Sequence, residues 1–147
     1  MPKISRDFDV GGDVIRVWGI LNDPVSLGAC IPGCEEVTAL SPTEWKFNVK
    51  VNVGVISKRI DARATVIERE DPHKIAIKLM SVDRDFSGAF RVELKPKDET
   101  HTHVFFTAEV DVKGPFQWIV DQVIKNQLDK MVNEFAERVS QKTSAGS

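Results

Sequence analysis

The chain has 147 residues, of which 41% are hydrophobic and 29% charged, the composition of one globular domain rather than of a disordered or membrane-embedded chain. Lys and Arg number 20 against 22 Asp and Glu, a formal charge of −2, so a dedicated nucleic-acid binder, which carries a basic excess, is not expected. No apolar run reaches the roughly 18 residues of a membrane span, the opening MPKISRDFDV lacks an apolar signal core, and Cys30 and Cys34 are too few for a secreted disulfide framework. A cytoplasmic location follows as the expectation.

Residues 3–10 place Ile4, Arg6, Phe8 and Val10 on one parity, which reads as a half-buried strand. Gly11-Gly12 ends it, and Asp13 can cap a helix carrying Val14, Val17, Trp18 and Leu21. Asn22-Asp23-Pro24 stops that helix, because proline disfavours the α conformation in the residue before it. Pro24, with Asp23 as its cap, opens a second short helix that ends at Pro32-Gly33.

A long strand region follows. Trp45, Phe47, Val49, Val51, Val53 and Val55 alternate with polar residues, the clearest period of two in the chain. Ile60, Ala62, Ala64 and Val66 continue the pattern, then Ile75, Ile77 and Leu79 after the Asp71-Pro72-His73 turn. Phe86, Gly88, Phe90, Val92 and Leu94 form the next run, and Val104, Phe106, Ala108, Val110 and Val112 the last. Gly114-Pro115 closes the sheet region. From Phe116 to Val139 apolar residues recur at three and four, predicting one continuous amphipathic helix of about 24 residues, with Val123, Met131 and Phe135 buried. The polar end, 141–147, reads as a flexible tail after a single domain over 1–140.

Clean alternation over six or seven strands implies an antiparallel sheet with one wet and one dry face, and the dry face must be covered. The last helix is the element long enough to cover it. The predicted fold is α+β: a curved antiparallel sheet wrapped around a long C-terminal helix, with two short N-terminal helices closing one end. A sheet curled around a helix can enclose an apolar space. Small inward residues, Ala62, Ala64, Gly88 and Ala108, stand beside the large Trp45, Phe47, Phe86, Phe90 and Phe106, facing Val120, Val123 and Gln127 of the helix. This pattern fits a ligand cavity, and it equally fits interlocked packing.

Val17-Trp18-x-x-Leu21-x-Asp23-Pro24 and Cys30-Ile31-Pro32-Gly33-Cys34-Glu35, with Val53-Gly54-Val55-Ile56 and Val112-x-Gly114, resemble the CoxG-like family of carbon monoxide dehydrogenase systems. That family belongs to the START-related helix-grip superfamily of polyketide cyclases and hydrophobic-ligand binders. The similarity spans about residues 3–139. It implies the order β-α-α-β6-α and a deep apolar cavity for a lipid-like, isoprenoid or quinone-like ligand. Some members carry a C-terminal membrane-anchoring extension. Here the chain ends about eight residues past the helix, so no membrane anchor is expected.

The chemistry available is sparse. Cys30 and Cys34 are four apart, but Pro32-Gly33 intervenes and zinc needs about four N or S ligands; they read as two half-buried thiols. Together with Ile31, Pro32 and Gly33, Cys34 is expected to form the cavity mouth. His101 and His103 share the wet face, and His73 sits in a turn. No nucleophile–base order or phosphate loop is present, and Tyr is absent. The inward polar residues are Arg6, Ser81, Asp83 and Gln127. Arg6 is expected to pair with a carboxylate, and Gln127 to bond the backbone or a ligand's polar head. Trp118 falls outside the apolar arc and Phe105 on the outer sheet face, which leaves a homodimer open. The leading expectation is non-catalytic binding or carriage of a small hydrophobic molecule, with no cofactor and no metal. The alternatives are a cyclase, dehydratase or hydrolase on the same fold, and an accessory protein docking on a molybdenum-hydroxylase oxidoreductase.

Overall fold

Each alternating run of the sequence becomes a strand, and each three-four pattern a helix. In the computed structural model, which describes residues 3–53, 55–114 and 117–145, the order is β1 (Lys3–Gly11), α1 (Val14–Asn22), α2 (Pro24–Cys30), β2 (Cys34–Ser41), β3 (Glu44–Val53), β4 (Ile56–Glu70), β5 (Lys74–Ser81), β6 (Phe86–Pro96), β7 (His101–Val112), α3 (Gln117–Asn126) and α4 (Leu128–Ala145). The seven strands form one antiparallel sheet in the order β1-β7-β6-β5-β4-β3-β2. Only β1 pairs out of sequence, closing against β7 with Ile4 opposite Ala108 and Phe8 opposite Val104. Among the described residues no helix is long and apolar enough to cross a membrane.

Strand β2 has no alternation in its sequence, CEEVTALS, and most of its residues are exposed. It pairs with β3 alone and carries two register shifts, an edge strand whose Cys34 and Val37 pack against the core while the rest of it is exposed. Strand β4 runs longer than its alternating stretch because a bulge between Val66 and Glu68 flips the parity. Ile67, the extra residue of the bulge, keeps the outward parity of Asp61, Arg63 and Thr65 and stands 55% exposed.

Helix α1 begins as its sequence indicates: the Asp13 carboxylate accepts from the Arg16 amide at 2.9 Å. Asp23 precedes α2 but makes no side-chain cap. Its carboxylate accepts instead from the Ser26 hydroxyl at 2.7 Å.

The final helix departs from the sequence reading. It is two segments, α3 and α4, that part at Gln127, where the side-chain amide donates to the Asn52 carbonyl at the end of β3 (3.2 Å). A three-four pattern persists across such a break, so the apolar spacing does not register it. Met131 and Phe135 are half-buried rather than buried, Phe135 meeting Phe8 edge-on at 6.2 Å. The helix sinks deepest near its C-terminus, at Val139 (1% exposed). Residues 141–145, expected as tail, are the last turn of α4. Thr143 is buried there and donates to the Gly11 carbonyl. Gly11 in turn donates to Ser140 Oγ at 2.8 Å, and Arg16 reaches the Thr143 carbonyl. The core cluster gathers at this end: Val17, Trp18 and Leu21 of α1, Leu27 and Cys30 of α2, and Trp45, Ile75, Leu94 and Val104 of the sheet.

Candidate functional site

The concave face is assembled by parity. Ala62 and Ala64 are buried, as are Gly88 and Ala108, while Phe86, Phe90 and Phe106 are half-buried. The Phe90 and Phe106 rings lie 6.0 Å apart, and Trp45 meets Phe47 at 6.3 Å, both buried in the core cluster. The side chains of Val120 and Val123 lie outside the described residues. A Cβ added at Gly88 would stand 2.8 Å from the Phe90 ring, so Gly88 seats that ring rather than bordering open space. The small residues around Phe90 therefore make room for aromatic packing.

Among the described residues, open volume lies further along the sheet, where β4 passes the end of β5. A pocket of about 270 Å³ is lined by Ile60 and Lys58 of β4, Ser81 of β5, Asp83 and Asp85 of the following turn, and Phe86 and Val112 of β6 and β7. The first residues of β4 run past the end of β5, which joins β4 only from Ala62 opposite Ser81. The turn at 82–85 folds across that gap, with Val82 donating to the Asp61 carbonyl at 2.9 Å. Ser81 Oγ donates to Asp83 (2.6 Å) and accepts from the Phe86 amide (3.0 Å). The Asp83 carboxyl is held below its usual range by the Ser81 hydroxyl first and the Asp85 amide second. Arg84 takes a positive φ of 64° to complete the turn. The result is an apolar floor, Ile60, Phe86 and Val112, under a rim that carries an ammonium and a carboxylate. Of the residues read from the sequence as cavity-lining, Phe86 lines this pocket. Ile60 and Val112 carried the same inward parity, and Ser81 and Asp83 were already evident as inward polar positions; strand length alone concealed that they meet.

The turn expected at the cavity mouth lies beside the pocket without lining it. Lys50 donates to the Gly33 carbonyl at 2.8 Å, and Glu35 pairs with Arg59 at 2.9 Å, which lowers the Glu35 pKa. Ile31, Pro32 and Cys34 are half-buried and Gly33 is exposed. Both thiols are free, and burial pushes both upward in pKa, which suits inert packing groups. Arg6 pairs with Asp129 on α4 at 2.9 Å. Trp118 is 47% exposed. Among the described residues no cluster of three His, Cys, Asp or Glu is placed to hold a metal.

His103 is set in a pair of carboxylates on the outer face, bonding Asp9 and, at 3.0 Å, Asp7. The Asp9 contact first and Asp7 after it raise the His103 pKa above its ordinary value. Asp9 is lowered, chiefly by Lys97 and then by His103. A raised histidine contributes its full stabilisation below about pH 6.5 and loses it as pH rises through its folded pKa. A lowered carboxylate contributes above its ordinary range and loses it as pH falls. The β1–β7 seam is therefore expected to be firmest between about pH 4 and pH 6.5. Urea midpoints at a series of pH values check this: His103→Gln should flatten the alkaline limb and shrink the acid limb to the part that Lys97 supplies through Asp9.

The family model for CoxG, a carbon monoxide dehydrogenase component, matches residues 7–144. The chain belongs to that family. A search of the curated proteins found no match. Solved structures share the fold of this CoxG-family chain at low identity. A conserved protein from Geobacillus kaustophilus has a TM-score of 0.86 at 17% identity, covering 99% of this chain and 97% of its own. A START superfamily protein from Mycobacterium smegmatis has 0.75 at 17%, covering 96% and 99%. The Zhui aromatase/cyclase from a Streptomyces species has 0.71 at 13%, covering 97% and 93%. The helix-grip, START-like architecture of this CoxG-family chain is thus established over nearly its whole length.

Proposed function

We propose that this protein binds and carries a small hydrophobic or amphipathic molecule of the lipid-like or isoprenoid kind, seated in this pocket with its polar end at the rim. The observation that carries this reading is the pocket itself. Its apolar floor of Ile60, Phe86 and Val112 would exclude water from an apolar ligand, at about 25 cal/mol per Å² of buried surface. Lys58, Ser81 and Asp83 on the rim would orient a polar group. Its volume, about 270 Å³, falls at the small end of ligand sites, which suits one ring system or one short chain segment with the remainder of the molecule outside. The carrier reading rests on that apolar floor, and the Asp83 carboxylate beside it is engaged by Ser81 and the Asp85 amide.

Mass spectrometry of organic extracts from the purified protein tests the reading directly and should return a stoichiometric apolar molecule. Val112→Phe adds volume on the pocket floor. It is expected to weaken binding of the fluorescent probe 1-anilinonaphthalene-8-sulfonate at least about tenfold while costing about 1–3 kcal/mol or less in stability. Undiminished probe binding in that variant, or turnover of a bound molecule, would overturn the carrier assignment at this pocket.

A further inference from the structure

The convex face of the sheet is electrically divided. On β3 and β4, Lys46 stands directly opposite Arg63 and Lys50 directly opposite Arg59. Like charges facing each other across an antiparallel pair are destabilising, yet this sheet carries two such rungs. Between them Asn48 donates to Asp61. On the next strand Lys78 pairs with Thr65, diagonal to Arg63. Lys46, Arg63 and Lys78 are exposed and make no ion pair among the described residues, whereas Arg59 is engaged by Glu35. Glu36 borders the patch on β2, and Glu44 lies beside it on β3, two residues before Lys46 and opposite Thr65.

The far side of the same face, on β1 and β7, is acidic, and most of its carboxylates are answered within the chain. Asp7 bonds His103, Asp9 bonds His103 and Lys97, and Glu109 bonds Lys3. The acidic half is thus largely paired internally, whereas Lys46, Arg63 and Lys78 of the basic half make no ion pair among the described residues. A second copy of the chain would thus offer mostly spent carboxylates, and the net charge of −2 opposes attraction to nucleic acid.

We propose that the convex patch centred on Lys46, Arg63 and Lys78, none of which lines the ligand pocket, is a docking surface for an acidic protein partner. Charge complementarity of this kind sets orientation and association rate, and it weakens with salt.

The test uses poly-L-glutamate as the probe, titrated against the full chain at low and high ionic strength. Wild type should bind at low salt and release at high salt. The triple variant K46Q/R63Q/K78Q should bind at least about tenfold more weakly, and the control Lys95→Gln should bind as wild type does. Relief of the facing charges should leave the triple variant melting at or above the wild-type temperature, which separates lost binding from lost fold. Equal binding by the triple variant, or no salt-sensitive binding by wild type, would overturn the proposal. So would tighter binding of oligothymidylate than of polyglutamate, or a concentration-dependent dimer that the triple substitution abolishes. Retention of the 1-anilinonaphthalene-8-sulfonate signal in the triple variant keeps this outcome separate from the fate of the pocket.

Discussion

Replacing Trp45 by alanine is expected to lower the unfolding free energy by about 3–5 kcal/mol, the range for truncating a large buried aromatic. Trp45 is 2% exposed and among the largest fully buried side chains of the protein. It joins the core cluster that unites α1, α2 and the C-terminal end of α4 with the sheet. It also packs edge-on against Phe47 at 6.3 Å, and its strand faces Ala64 on β4, which has no bulk to fill the vacated space. Chemical denaturation with tryptophan fluorescence from Trp18 and Trp118 reports the change. A loss below about 1 kcal/mol would mean that the closed end of the grip is not the centre of stability.

Gly33→Ala is expected to cost about 2 kcal/mol or more. Gly33 has a φ of +84°, where a side chain is strained, and an added Cβ would collide with the Lys50 carbonyl. That carbonyl is backbone and cannot swing aside. The neighbouring Lys50 amide donates to the Gly33 carbonyl, so the clash works against the contact joining the α2–β2 turn to β3. Gly19 provides the comparison, since nothing lies within 4 Å of an added Cβ there and its φ is ordinary; helix propensity alone should make Gly19→Ala neutral or stabilising by up to about 1 kcal/mol. Thermal melts of the two variants side by side decide the matter, and equal melting temperatures would show that the turn is not pinned.

These two positions differ in how legible they were. Trp45 heads the clearest alternating run in the chain, and its burial follows from parity alone. Gly33 was legible as a turn residue next to Pro32, but the carbonyl it accommodates belongs to a strand seventeen positions away, and no local pattern reports such an approach. The same division runs through the site. Inward parity marked Phe86 and the column containing Ile60 and Val112. Parity left open whether Gly88 borders space or packing, and only the fold shows that an added Cβ there would meet the Phe90 ring.

By itself the sequence determined the class of the protein: period two repeated across the middle of the chain, flanked by helical periods, demands an antiparallel sheet whose dry face is covered by the last helix, and the Trp18-to-Glu35 stretch indicated the family. Tertiary structure alone decided where that covering is tight and where it is open. The break at Gln127, the burial of Thr143 against Gly11 and the edge strand β2 all arise from contacts between residues far apart in the chain. So does the pocket, which exists because β4 begins its run before β5 has reached it. Periodicity records which way a side chain faces; the lengths and registers of neighbouring strands fix what it faces, and those are set by pairing across the sheet rather than by any one segment.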